Sequence, residues 1–288
     1  MPESAHAPTP ENANPAPYAA AARIKRTTVR DIQAFKERGE RFATLTSYDR
    51  QSAAVFDEAG ISLLLIGDSA GNNMLAYDDT LPVTVDELLP MCRAVVRGAP
   101  HALVVADLPF GSYQESPQQA LATAVRMVKE GGVQAVKLEG GAALAPAVHA
   151  IVAAGVPVVA HLGFTPQSLH AFGGYRVQGR GADGDQIVAD AVALAEAGAF
   201  AIVLEMVPAE VASRVTATIP VPTIGIGAGP DCDGQILVWM DMAGLSPRPM
   251  PKLVKSYADL RGTLLDAARA YAQDVQAGSF PGPEHSYS

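Results

Sequence analysis

The chain has 288 residues, of which 49% are hydrophobic and 18% charged, and this composition suits one large α/β barrel or two smaller domains. Its formal net charge of −9 argues against nucleic acid and anionic membranes as partners, and no apolar run reaches the roughly 20 residues that span a bilayer. Its two cysteines, Cys92 and Cys232, fit neither a zinc site nor a disulfide framework, so we expect reduced thiols and a cytoplasmic location.

Residues 1–26 are rich in Ala, Pro and Asn and show no hydrophobic periodicity. A signal peptide has a basic start and an apolar segment, and a transit peptide is rich in Arg and poor in acids. Here Glu3 and Glu11 precede Arg23, the first Arg or Lys of the chain. We therefore predict a disordered tail over residues 1–26 and a single domain over residues 27–288.

After a short helix predicted over residues 28–38, strands and helices alternate along the chain. The apolar runs predict strands over residues 42–48, 62–68, 103–108, 135–139, 157–162, 201–206, 222–226 and 236–240. The segments between and after them predict helices over residues 50–59, 85–97, 117–130, 143–154, 186–197, 209–218 and 253–277, with polar loops over residues 72–82 and 163–183.

Eight strand–helix units of this kind predict a (β/α)₈ barrel. A doubly wound open sheet is the alternative, but it usually has fewer units and a phosphate-binding glycine turn after its first strand. The turn Gly227-Ala-Gly229 follows the seventh predicted strand instead. The pattern therefore favours the barrel.

Ionisable side chains stand near the carboxyl ends of five predicted strands, namely Asp68, Asp107, Lys137 with Glu139, His161, and Glu205. In a barrel these strand ends share one mouth. Three carboxylates in one pocket repel one another unless a cation neutralises them, and hard oxygen ligands suit Mg²⁺, with other divalent ions as substitutes. We predict Asp68 and Asp107 as direct ligands and Glu139 as a direct or water-mediated ligand.

The other groups leave alternatives open. Lys137 would bind a substrate carboxylate or serve only as a counter-ion for Glu139. Glu205, two strands further on, is a candidate general base for the proton next to the ketone of a metal-bound α-keto acid, or else a salt-bridge partner at a strand end. His161 would hydrogen-bond the substrate or be a structural histidine.

Several sequence blocks are signatures of one known family. They are Phe42-Ala-Thr-Leu-Thr-Ser-Tyr48, Gly67-Asp-Ser69, Thr80-Leu-Pro-Val-Thr84, Ala106-Asp-Leu-Pro-Phe110, Lys137-Leu-Glu-Gly-Gly141, His161-Leu-Gly-Phe-Thr-Pro-Gln-Ser168, Phe172-Gly-Gly-Tyr175, Val177-Gln-Gly-Arg180, Ile224-Gly-Ile-Gly-Ala-Gly229, Asp233-Gly-Gln-Ile-Leu-Val238 and Pro281-Gly-Pro-Glu-His-Ser286. In these blocks, which run in order over about residues 27–288, the chain resembles the ketopantoate hydroxymethyltransferases.

The resemblance implies a barrel of the phosphoenolpyruvate/pyruvate type that carries a hydroxymethyl group from 5,10-methylenetetrahydrofolate to 3-methyl-2-oxobutanoate, through an enolate that a metal stabilises. The product, 2-dehydropantoate, belongs to the synthesis of pantothenate and hence of coenzyme A. The matching positions are Asp68, Asp107 and Glu139 for the metal, Asp68, Ser69, Asp107, Lys137 and His161 for the keto acid, and Glu205 for the proton. The resemblance also implies a cytoplasmic homo-oligomer, commonly a decamer, with small molecules as its partners.

Two other functions remain as alternatives. A C–C lyase or mutase of the phosphoenolpyruvate/pyruvate barrels also polarises an α-keto acid with Mg²⁺, but the Lys-Lys-Cys-Gly-His loop that those lyases often carry does not occur in this sequence. A barrel that only binds or scaffolds would have no reason to place acids in order at its strand ends.

Overall fold

The computed structural model describes residues 25–247 and 249–287, and all but the last two residues of the predicted tail lie outside this part. Eight parallel strands close into one barrel in the order β1 to β8, which confirms the predicted barrel. The strands are β1 (Phe42–Thr46), β2 (Leu63–Ile66), β3 (Leu103–Asp107), β4 (Ala135–Glu139), β5 (Val158–Gly163), β6 (Ala201–Glu205), β7 (Thr223–Ile226) and β8 (Gly234–Leu237).

The described helices surround this barrel or lie in its loops. They are α1 (Val29–Glu37), α2 (Arg50–Glu58), α3 (Ala70–Met74), α4 (Val85–Gly98), α5 (Pro117–Arg126), α6 (Ala145–Ala153), α7 (Leu169–Phe172), α8 (Asp183–Glu196), α9 (Ala209–Thr218), α10 (Trp239–Met242) and α11 (Leu260–Ala277). A π-helical turn, Met127–Gly131, extends α5, and short 3₁₀ turns cover Ala142–Leu144, Pro166–Ser168 and Pro283–His285. Thr28 and Thr84 begin α1 and α4 with capping boxes, in which a threonine hydroxyl and an acid three residues later satisfy free N–H groups.

Two predicted elements at the C-terminal end of the chain differ in the structure. The last strand begins at Gly234 rather than at residue 236, because Gly234 pairs with Phe42 and the Phe42 ring fills the space where a Cβ would lie. The last helix begins at Leu260 rather than at residue 253. There Asp259 Oδ1 accepts the Gly262 N–H, and the Tyr257 N–H donates to the Met242 carbonyl, which ties the preceding segment to α10.

Apart from the exposed Ala43 in β1 and Gln235 in β8, the strands are largely buried on both faces, as parallel strands covered by helices should be. Alternate residues point into the barrel and form an inner core, whose strand members are Phe42, Leu63, Leu65, Leu103, Val105, Ala135, Val159, Ala201, Val203, Ile224 and Ile236. The other face of each strand packs against the helices in a larger outer core that includes Leu64, Val104 and Leu138. Cys92 and Cys232 belong to this outer core as buried free thiols, as predicted.

Helix α11 differs from the helices that cover the barrel because none of its residues is buried. Its apolar residues Leu264, Tyr271 and Val275 are spaced as on one face of a helix, and each is about half exposed in the single chain. Of the helices that the structure describes, none combines the length and apolar character needed to cross a bilayer.

The contact between α4 and α2 leads to a stability prediction at Gly98. A Cβ there would lie 2.5 Å from the Arg50 carbonyl oxygen and 3.0 Å from Ala53 Cβ. Ala is favoured over Gly in a helix by about 1 kcal/mol, but overpacking costs about 1–3 kcal/mol. We expect Gly98→Ala to lower the free energy of unfolding in urea denaturation. The exposed neighbour Arg97 provides the control, since Arg97→Ala should change this free energy by less than about 0.5 kcal/mol.

Candidate active site

The predicted functional residues meet at the carboxyl ends of the strands. Asp107 follows Leu103 and Val105 on the inner face of β3, and Lys137 and Glu139 follow Ala135 on that of β4. Because neighbouring strands are paired in register, these side chains stand next to their counterparts. The Cα partners are Asp107 with Lys137, Glu139 with His161, and Gly163 with Glu205.

Asp68 lies just beyond β2 and is buried. Its backbone N–H donates to Asp107 Oδ2 at 3.0 Å, and its Oδ2 accepts from Gln167 Nε2 at 2.8 Å. Asp68 Oδ1 has no hydrogen-bond partner in the part of the chain that the structure describes. The next residue, Ser69, shares a hydrogen bond of 2.8 Å with the Tyr48 hydroxyl.

Lys137 lies among the acids and is only 4% exposed. Its Nζ is 2.8 Å from Asp107 Oδ1 and 3.3 Å from Glu139 Oε1. Burial alone would lower the pKa of Lys137, but the charges of Asp107, Glu139 and Asp68 outweigh burial and raise it above its ordinary value. Lys137 is therefore a buried ammonium shared by two carboxylates, more than a counter-ion for Glu139 alone.

His161 connects this cluster to Glu205. Its Nδ1 is 3.2 Å from Glu139 Oε1, and its Nε2 is 3.4 Å from Glu205 Oε2. Burial and the neighbouring Lys137 would lower the pKa of His161, but the two carboxylates raise it to about 9. A protonated imidazole can place one N–H toward each acid.

Glu205 ends β6 at the opposite side of the mouth. Its backbone carbonyl accepts the Phe164 N–H at 2.8 Å, which joins the ends of β5 and β6. The next residue, Met206, has a φ of 46°, a left-handed conformation that is uncommon outside glycine and is often found at functional sites. The Glu205 side chain is 18% exposed, whereas that of Glu139 is 2% exposed, so Glu205 is the acid that a ligand in the mouth can reach most easily.

The buried acids carry more negative charge than the two basic groups neutralise. Burial acts against ionisation of Glu139, but Lys137 and His161 outweigh it and lower the pKa of Glu139 to about 2. Asp68 forms no ion pair with either basic group. Burial, the larger cause, and repulsion from Asp107 and Glu139 raise its pKa well above the ordinary value. An additional cation beside Asp68 would remove this conflict.

The acids suit Mg²⁺ in type and charge, but they do not form a ready-made cage. Among residues 25–247 and 249–287, no three His, Cys, Asp or Glu side chains converge closely enough to hold a metal ion by themselves. Mg²⁺ commonly takes only one or two protein carboxylates and completes its shell with water and substrate. The donor set at Asp68 and Asp107 fits that mode of binding.

The mouth opens into a cavity of about 1140 Å³. Its lining includes the charged cluster and Glu205, and also the exposed residues Tyr175, Arg180 and Lys252. No salt bridge of Arg180 or Lys252 is present within the described residues, so both cations are available to a ligand. The cavity is somewhat larger than the roughly 300–1,000 Å³ of pockets that hold drug-sized ligands.

Two polar residues of the site were not identified from the sequence. Gln167 and Tyr113 lie in loops after β5 and β3, and their contacts with Glu139 and Asp68 depend on how those loops fold. Gln167 lies within the block His161–Ser168 that carried the family resemblance, but nothing in its residue type indicated a role. Tyr113 lies just outside any such block.

Comparison with known proteins gives one consistent family for the chain. A family model described as ketopantoate hydroxymethyltransferase matches residues 26–283. Similar proteins named 3-methyl-2-oxobutanoate hydroxymethyltransferase occur in Frankia alni, at 64% identity over 92% of this chain and 88% of the relative, and in Saccharopolyspora erythraea, at 60% identity over 94% and 93%. A third, from Paenarthrobacter aurescens, is 57% identical over 100% of this chain and 98% of the relative.

Solved structures show the same fold at low sequence identity. A phosphonopyruvate hydrolase in complex with oxalate and Mg²⁺ has a TM-score of 0.58 at 16% identity and covers 89% of this chain and 92% of its own. A 2,3-dimethylmalate lyase of the PEP mutase/isocitrate lyase superfamily has a TM-score of 0.56 at 18% identity and covers 91% and 92%. These neighbours share the predicted barrel fold with this chain but carry no argument for a lyase activity.

The buried ammonium leads to a second stability prediction. Lys137→Met leaves Asp107 and Glu139 as buried anions without their cation, which should lower the free energy of unfolding by about 3–5 kcal/mol near pH 7. Burial already raises the pKa of Asp107 above its ordinary value, and removing Lys137 should raise the pKa values of both acids in the folded state, so stability is lost as the pH rises and the defect should be smaller near about pH 5.

Urea denaturation at the two pH values, with metal removed by a chelator, measures this effect. The exposed Lys129 provides a matched control, because Lys129→Met removes a lysine without touching a buried acid. A defect of equal size at both pH values would contradict the role of Lys137 as a counter-ion.

Proposed function

The chain belongs to the ketopantoate hydroxymethyltransferase family, and from this membership we propose how the cavity at the barrel mouth performs the reaction. The enzyme adds a hydroxymethyl group to 3-methyl-2-oxobutanoate and forms 2-dehydropantoate, a step of pantothenate synthesis. One observation carries the proposal for the site. A buried charged cluster and a separate, accessible acid, Glu205, face the same cavity.

We propose 5,10-methylenetetrahydrofolate as the one-carbon donor. C3 of the keto acid loses a proton and forms a bond to the donor's methylene carbon, whose two C–N bonds break. Water supplies the hydroxyl oxygen, and tetrahydrofolate leaves. The cavity volume of about 1140 Å³ supports a donor of this size beside the small keto acid. The cations Arg180 and Lys252 in the outer cavity suit the anionic glutamate tail of a folate.

The keto acid would lie beside the charged cluster. We propose Asp68, Asp107 and Glu139 as the residues that hold Mg²⁺ there, directly or through water. When bound, Mg²⁺ would polarise the ketone and make the neighbouring C–H more acidic. The ammonium of Lys137 and the hydroxyl of Ser69 would bind the substrate's carboxylate and ketone oxygens, and a protonated His161 would add a hydrogen-bond donor.

Glu205 is proposed as the general base. It faces the cavity, and its Oε2 lies 3.4 Å from His161 Nε2, whose N–H would orient the carboxylate. Among the described residues Lys137 pairs with Asp107 and Glu139 rather than with Glu205, so the ammonium leaves Glu205 free to face the substrate. Glu205 therefore accepts the C3 proton, which leaves the carbon free to attack the one-carbon unit.

The proposal also includes assembly. The family resemblance implies a homo-oligomer of ten copies in the cytoplasm, and helix α11 supports association because its apolar face is uncovered in the single chain. A helix with Leu264, Tyr271 and Val275 on one face would bury them against another copy.

Replacing the general base tests the chemistry. We expect Glu205→Gln to bind 3-methyl-2-oxobutanoate but to exchange its C3 proton with D₂O about 10²–10⁴-fold more slowly, because an amide cannot accept the proton. Proton NMR follows the C3–H signal in the presence of Mg²⁺, with and without 5,10-methylenetetrahydrofolate. In the wild type, a hydroxymethyl resonance should form only when the folate is present.

The exposed Glu210 on α9 provides a matched control, and Glu210→Gln should exchange at the wild-type rate. Unchanged exchange in Glu205→Gln would exclude Glu205 as the base. Exchange in the wild type without transfer to the keto acid would contradict the folate donor instead.

A charge on the exposed face of α11 tests the assembly. We expect Leu264→Glu to shift the protein to smaller species in sedimentation velocity, because the acid would be buried in the interface. Gln273→Glu adds the same acid elsewhere on this exposed helix and serves as the control. A wild type that sediments as a single chain, or a Leu264→Glu variant of unchanged size, would contradict this role of α11.

A further inference from the structure

Gln167 makes contacts that the reaction scheme leaves unexplained. It lies in the short 3₁₀ turn after β5 and is buried, although it is an uncharged amide beside a cluster of charges. Its Nε2 donates to Asp68 Oδ2 at 2.8 Å and to the Leu108 carbonyl at 3.0 Å. Its backbone N–H donates to Glu139 Oε2 at 3.0 Å. One residue thus binds two acids that come from different strands.

The orientation of the Gln167 side-chain amide follows from its partners. The Leu108 carbonyl can only accept a hydrogen bond, so the NH₂ group must face it. On the other side, Gln167 Oε1 is 2.6 Å from the Tyr113 hydroxyl and 3.2 Å from Gln114 Nε2. Tyr113 Oη accepts the Glu139 N–H at 3.1 Å, and its own hydrogen is shared between Gln167 Oε1, the nearer acceptor, and the Glu139 carbonyl at 3.0 Å. All donors and acceptors of the amide are therefore used.

Within the described residues, these contacts leave Asp68 with one free oxygen, whereas both oxygens of Glu139 are contacted. Gln167 Nε2 donates a hydrogen bond to Asp68 Oδ2, while Asp68 Oδ1 has no hydrogen-bond partner in the part of the chain that the structure describes. At Glu139, Gln167 occupies Oε2 while Lys137 and His161 approach Oε1. A carboxylate held at one oxygen cannot rotate freely, so the direction of its other lone pairs is fixed before a ligand arrives.

We propose that Gln167 is a positioning residue, which orients the carboxylates of Asp68 and Glu139 for a divalent cation and for the keto acid that it holds. This inference rests on the metal-binding role proposed above for those acids. Residues that orient metal ligands in this way typically change metal affinity or activity about 10–100-fold when they are replaced. A residue that only held the loop after β5 would change stability and leave that affinity unchanged.

The test uses Gln167→Met, which keeps the length of the side chain but cannot donate to Asp68. Calorimetry with MgCl₂ alone measures affinity in the absence of substrate, and thermal unfolding shows how much protein is folded. We expect the dissociation constant for Mg²⁺ to rise about 10–100-fold in the folded variant. We also expect slower C3–H exchange at saturating keto acid, with the KM for 5,10-methylenetetrahydrofolate unchanged.

Gln186→Met is the matched control, because Gln186 also donates to a carboxylate, that of Asp190, at 2.9 Å on the exposed face of α8. It should bind Mg²⁺ and exchange the C3 proton as the wild type does. If Gln167→Met does not fold, Tyr113→Phe replaces it, since this variant removes the hydroxyl that orients the amide and leaves the amide in place. It should also weaken Mg²⁺ binding.

Failure of the role of Gln167 and failure of the proposed metal site would give different results. Wild-type affinity for Mg²⁺ and wild-type exchange in the folded variants would overturn the role of Gln167 and leave the proposed function intact. A wild type that exchanges the proton but does not bind Mg²⁺ would overturn the metal role of the acids, and unchanged exchange in Gln167→Met would then also exclude positioning of the keto acid.

Discussion

The site depends on one buried ammonium. Lys137 lies between Asp107 and Glu139 at distances that allow an ion pair with each, and all three side chains are excluded from water. Acids this deeply buried would otherwise be forced to take up protons. The shared cation and His161 together keep Glu139 ionised, whereas Asp68, which lies outside their direct contact, retains the unfavourable environment. The buried acids are therefore neutralised unequally. Asp68 is the acid that a second cation would stabilise most, and the chemistry of the mouth follows from this.

The barrel makes this arrangement possible through its register. Asp107 is the Cα partner of Lys137, and Glu139 is the partner of His161, so the contacts within these two pairs join neighbouring strands, while Lys137 and Glu139 share β4. Backbone hydrogen bonds therefore fix the spacing of the charges before any side chain is placed. Loops complete the site, since Gln167 reaches back across the mouth to the acids. The strands supply the charges and the loops determine their orientation.

This difference between strands and loops explains how much of the structure could be predicted from the sequence. Asp107 and Glu139 were predicted from the sequence because each stands at the end of an apolar run, and the carboxyl ends of barrel strands share one mouth. The closed barrel was also predicted, since eight repeated units leave few alternatives. Gln167 could not be predicted to contact the acids, because the path of the loop after β5 depends on distant contacts. The first residue of β8 was missed for a similar reason, since the packing of Phe42 against Gly234 is invisible to local propensity.

The separation of the inner and outer cores has a consequence for how this sequence can change over time. Val105 and Val203 lie two positions below Asp107 and Glu205 on the same faces of their strands, so a change of volume there would tilt the groups that do the chemistry. Leu64 and Leu138 face the helices instead, where a change of volume would not act directly on these groups. Among related sequences, substitutions should therefore be more frequent in the outer core than in the inner core, although the residues of both cores are buried.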